Sequence, residues 1–78
     1  MNRSDKLWQL RQVNRRIAGA EMAVMQQIAC FDKLCADGHD TTLAERGLRA
    51  FAASLEALRG HRQLIVSTIQ QIDRGHLT

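Results

Sequence analysis

Residues 48–72 read LRAFAASLEALRGHRQLIVSTIQQI. In this stretch Leu48, Phe51, Leu55, Leu58, Ile65, Ile69 and Ile72 fall at alternating three- and four-residue steps, and only Arg62 interrupts the series. Such steps average close to one turn of α-helix, so the side chains line up as a continuous apolar seam. A seam of this kind is stable only against another helix. The first half of the chain supplies one. Leu10, Val13, Ile17, Ala20, Val24, Phe31 and Leu34 keep the same period, with Gln27 as the polar exception.

The ends of both helices carry their own signals. Ser4 is the expected N-cap of the first, followed by Asp5, whose charge suits the positive end of the helix dipole. The pattern predicts a helix over about 4–36 and a break at Asp37-Gly38-His39-Asp40, with Gly38 as the left-handed residue that closes it. Thr42 and Glu45 have the spacing of a capping box, with Asp40 or Thr41 as alternative caps, and the second helix is expected over about 42–74, ending at Gly75. Gly19, Gly47 and Gly60 lie inside helices and each costs about 1 kcal/mol relative to Ala. Two helices of this length joined by a turn at 37–41 must lie antiparallel. The expected fold is all-α, a single helical-hairpin domain over residues 1–78.

Composition points the same way. The chain has 78 residues, no proline, three aromatic residues and two cysteines. Such a mixture favours helix and gives no disulfide framework. A chain this short buries only about 60–65% of its unfolded surface, so a partner would help it fold. Met22–Met25 is as long as any purely apolar run, far short of the ~20 residues that cross a bilayer. Residues 1–10 lack the apolar stretch of an export signal. The expectation is a cytoplasmic, bacterial-style protein with no membrane association and no cofactor.

The faces of the helices add a constraint. Ala18, Met22, Met25 and Ala29 form a second stripe on the first helix, almost opposite its seam, so Ile17–Phe31 is apolar nearly all round. One neighbouring helix cannot cover both sides. The second helix has a flanking row of small residues, Gly47, Ala50, Ser54 and Ala57, with Leu43 and Leu64 at its ends. The economical arrangement is a homodimer, two hairpins forming a four-helix bundle. Its interface, or that of an unidentified protein partner, is expected at Trp8, Ala18, Met22, Met25, Ala29, Leu43, Gly47, Ala50, Ala57 and Leu64.

The polar residues give no enzyme signature. Cys30 and Cys35 are five apart and point about 140° away from each other on one helix, which suits packing beside the seam better than redox or metal chemistry. Cys35 and His39, with Asp37 and Asp40 nearby, make only a fragment of a zinc site, and no metal is expected. Ser54, Ser67, His61 and His76 do not assemble a triad, Glu21 and Glu56 lie on different faces, and there is no Gly-rich phosphate loop. Arg62 stands at a seam position and should reach a carboxylate or water. Glu21 is its expected partner and a second candidate for Arg59. Gln27, Arg62 and Glu21 then read as polar contacts that fix helix register, against the sharper reading of Arg62 as an anion-binding group beside Arg16 and His61. Charge is uneven. Arg3, Lys6, Arg11, Arg15, Arg16 and Arg59 gather at the open end of the hairpin and acidic residues at the turn. A basic pole can attract nucleic acid, yet no aromatic residues are interleaved to stack on bases, and a solvated face is the simpler account.

The string Gly38-His39-Asp40-Thr41, followed by Ala44-Glu45, Phe51, Ser54-Leu55 and His61-Arg62, resembles a group of short uncharacterised proteins frequent in soil proteobacteria. They share a Gly-His-Asp-Thr turn and a helix ending near a His-Arg pair. Where those relatives have two consecutive leucines, this chain has Gly47-Leu48. The resemblance covers about a third of the chain, implies the hairpin, and brings no activity with it. The expected function is a small non-catalytic interaction or scaffold protein that self-associates through apolar helix faces. The alternatives are nucleic-acid binding through the basic end and a chaperone- or regulator-like role with a different protein.

Overall fold

Helix α1 runs Arg3–Ala36 and helix α2 Thr42–Asp73. They come from a computed structural model that describes residues 2–75. The two helices pack against each other as an all-α hairpin, as the two seams predict. The molecule measures 58 × 15 × 13 Å. Its length is that of one helix, because 34 residues at ~1.5 Å each span about 51 Å. Three cross-helix neighbours fix the antiparallel register. Arg3 meets Asp73, Asn14 meets Arg62 and Gln27 meets Gly47, so the partner moves steadily back along α2 as α1 advances. No helix among the described residues is long and apolar enough to cross a membrane.

The turn closes as a Schellman motif. The His39 N–H donates to the Leu34 carbonyl at 3.0 Å and the Gly38 N–H to the Cys35 carbonyl at 3.2 Å. That pattern requires a left-handed residue between them, and Gly38 supplies it with φ +74°. Gly75 repeats the conformation beyond α2, with φ +79°.

At α1 the N-cap differs from expectation, and at α2 the alternative, Asp40, replaces the capping box. Asn2, not Ser4, caps α1 by accepting from the Ser4 N–H at 2.8 Å. At α2 the Thr42–Glu45 capping box does not form. The Asp40 carboxylate accepts from the Thr42 N–H at 3.0 Å and from the Thr42 hydroxyl at 2.7 Å, while the Glu45 N–H bonds the Thr41 carbonyl. With its hydroxyl turned toward Asp40, Thr42 cannot serve as the cap. These bonds, the hydroxyl's first and the amide's second, hold the Asp40 pKa below its ordinary value. A carboxyl whose folded-state pKa is depressed stabilises the fold above its unfolded pKa, and that contribution disappears as pH falls through the lower value. Asp40→Asn should therefore flatten the acid side of a plot of urea midpoint against pH. An unchanged acid slope would show that the carboxylate contributes nothing there.

Burial is uneven along the rod. Val13, Ile65 and Ile69 form the buried cluster, with Leu7, Leu10, Ile17 and Leu58 packed against it. All seven lie in the half away from the turn. In the turn-side half only Leu55 is buried, while Val24, Phe31, Leu34 and Leu48 are half-buried. Phe51, expected in the seam, is 40% exposed. A two-helix contact has no third element to cover the outer edge of so large a ring. The whole chain exposes 5814 Å², whereas a compact protein of its mass would expose about 4,800 Å².

Candidate interaction faces

Most of the residues assigned to a dimer or partner face are on the surface. Trp8, Met22, Met25, Leu43 and Leu64 are each more than 60% exposed, Met25 at 69% and Leu43 at 80%. Ala18, Ala29, Ala50 and Ala57 are exposed beside them. Ile28, which the sequence reading did not single out, joins the α1 group at 43%. Its position three residues after Met25 on an all-round apolar helix was the available signal.

Gly47 is the exception. It is half-buried and faces inward, where an added Cβ would lie 3.3 Å from the Gln27 side-chain oxygen. The missing side chain admits α1 of the same hairpin rather than a second molecule. Gln27 thereby occupies its seam position by laying its amide over a glycine.

Trp8 stands between two open clefts near the free end. One is bordered by Gln9, Gln12, Val13, Arg16 and His61, the other by Ser4, Leu7 and Arg11. The ring is the common wall of both, outside the core.

The expected register contacts are redrawn. Arg62 is exposed, not buried in the seam, and its Nε donates to Asn14 Oδ1 at 2.9 Å. It does not meet Glu21. The Arg62–Asn14 pairing fixes the axial register, and Glu21 lies seven residues beyond Asn14, about 10 Å further along the helix. Arg59 also leaves Glu21 alone, since its Nη1 donates to Glu56 Oε1 at 2.8 Å. That pair sits one turn apart on the same helix face, a shorter reach than any across the hairpin. Arg62 still carries a cross-helix polar contact, with a neutral amide in place of a carboxylate.

The basic end is less uniform than its sequence. Arg3 Nε donates to Asp73 Oδ1 at 2.7 Å, and this bond, with the charge of Asp73, raises the arginine pKa. The Lys6 ammonium donates to the Gln9 side chain at 3.2 Å. Arg11, Arg15 and Arg16 are exposed. Charge still divides along the rod. Segments 2–16 and 57–75 carry eight Lys or Arg against two carboxylates, a net +6. Segment 17–56 carries three against six, a net −3, and the two together give the chain's +3.

Cys30 and Cys35 are free and both exposed. The expectation that they pack beside the seam does not hold, because a two-helix contact is too narrow to cover its flanks. No group of three or more His, Cys, Asp or Glu among the described residues is placed to hold a metal ion. His61 borders the Trp8 cleft, and His76 lies outside the described residues.

These features define a class: a rod-shaped helical hairpin with its core at one end and large apolar side chains left on its outer surface. A comparison with family models, curated proteins and solved structures finds no match to the chain.

Proposed function

We propose that this chain is a small non-catalytic interaction or scaffold protein whose hairpins pair through apolar helix faces into a homodimeric four-helix bundle. The observation that carries the reading is the exposure of Met22 and Met25 at 62% and 69% in a rod with four buried apolar residues among those described. Its surface exceeds that of a compact chain of equal mass by about 1,000 Å². A standard protein interface covers about 800 Å² per partner, so a second hairpin is of the right size to take up the excess. Two exposed free thiols suit a reducing, cytoplasmic setting.

Light scattering tests the reading. The expected mass at micromolar concentration is twice the 8.8 kDa of one chain, and a stable folded monomer would sink it. A monomer that recovers a different protein from its native cell would instead assign the face to a heteromeric partner.

A second reading has its own observation. Arg11, Arg15 and Arg16 are exposed together on the outer part of α1, and the net +6 of that half would attract a phosphate backbone. Binding of this kind weakens steeply with salt, by about 0.9 in log K per log salt for each phosphate neutralised on duplex DNA. Absence of a gel shift at low salt removes it.

A further inference from the structure

Arg15, Ala18, Met22, Met25, Ala29 and Asp32 follow one another along the outer side of α1 at steps of three, four, three, four and three residues. All six are exposed. The sequence of steps is the same read in either direction, and so is the chemistry apart from a reversal of charge at the two ends. We infer that this stripe is a self-complementary contact, the surface on which α1 of a second copy packs antiparallel about a two-fold axis lying between Met22 and Met25. The inference rests on the self-association proposed above and names its face, orientation and register.

In that register Met22 meets Met25 of the second copy, Ala18 meets Ala29, and Arg15 meets Asp32. The two-fold makes each contact occur twice, as an isologous interface requires. The methionines are the flexible, polarisable side chains that fill an irregular gap between helices. The alanines on either side are small enough to let the backbones approach. Neither Arg15 nor Asp32 has a side-chain hydrogen bond or ion pair among the described residues, so both charges are available to the second copy.

Charge selects the antiparallel orientation. A parallel pairing would put Arg15 on Arg15 and Asp32 on Asp32, whereas the antiparallel one puts opposite charges together at both ends. The antiparallel arrangement also sets the acidic turn of each hairpin, with Asp37 and Asp40, level with Arg11 of the other. Since the axis lies nearer Ala36 than Arg3, the turn-side halves overlap. Those are the halves whose own seam buries only Leu55.

Charge exchange tests the register. The chain is compared with Arg15→Glu, with Asp32→Arg and with the double variant Arg15→Glu/Asp32→Arg, following mass by sedimentation over a concentration series and helix content by circular dichroism. Each single variant puts like charges together twice and should raise the dimer dissociation constant about tenfold or more. The double variant restores opposite charges at both ends and should return the constant to within a few-fold of the original. Both sites are exposed, so helix content should not change. If the chain dimerises but the single variants bind as well as the original, or the double variant is no better than the singles, this face is wrong while self-association stands. If the unsubstituted chain stays monomeric at about 100 μM, both proposals fall.

Discussion

Ile65→Ala should cost the hairpin a large share of its stability. Ile65 is 3% exposed and belongs to a buried cluster of three residues, with Val13 and Ile69. Removing its branched side chain loses the burial of the deleted carbons and leaves a cavity that a two-helix contact cannot refill, for about 2–5 kcal/mol. A domain of this size has only about 4–12 kcal/mol to lose. The adjacent Leu64 is 68% exposed, and Leu64→Ala should shift stability by about 0.5 kcal/mol or less. Urea titrations of both variants at one chain concentration, followed by circular dichroism, should give a large fall in midpoint for one and almost none for its neighbour. Equal shifts would mean that the seam is not where the stability resides.

Met22→Glu should do the reverse, sparing the fold and abolishing the assembly. Met22 contributes little to its own hairpin, being 62% exposed, and Glu is as good a helix former as Met. Next to the proposed two-fold axis, the substitution removes two buried methionines at about 1.5–3 kcal/mol each. It also brings two carboxylates together where water is excluded. The dissociation constant should rise by about a hundredfold or more, and the sedimenting species should become the single chain with its helix content intact. Met22→Leu preserves the apolar volume and should keep the dimer. An unchanged mass for Met22→Glu would remove α1's outer face from the interface.

The hairpin was legible because its determinants are local. The alternating steps of both seams, the Gly38 turn and the Gly75 stop depend on residues within one or two turns of one another. Finer features depend on competition or on register. Asn2 and Ser4 offer similar side-chain oxygens to the start of α1, as do Asp40, Thr41 and Thr42 to the start of α2, and the backbone path into the helix decides among them. Glu21 was a reasonable partner for Arg62 by charge, but a shift of one heptad in the pairing of two helices replaces it with Asn14, and sequence periodicity does not fix that shift. The clasp between Arg3 and Asp73 was missed for the same reason. Gly47 looked like a surface notch because its heptad position flanks the seam, and only the Gln27 amide lying over it reveals an inward role. Phe51 shows that an apolar residue in the right phase is buried only when something is present to cover its far edge. The exposed stripe of α1 was visible in the sequence, and the structure leaves it uncovered within the hairpin.

The placement of the core has a kinetic consequence. A helical hairpin would ordinarily fold by zippering outward from its turn, gaining contacts at short chain separation first. Here the best-packed residues lie far from the turn, Val13 and Ile65 being 52 positions apart, while the early contacts beside Gly38 bury little. The chain must close a long loop, or bring two mostly formed helices together, before its main hydrophobic gain arrives. The barrier should therefore fall late, with a fractional surface burial at the transition state near the upper end of the usual ~0.5–0.9 range, and nicking the turn should slow folding while leaving the unfolding rate nearly unchanged.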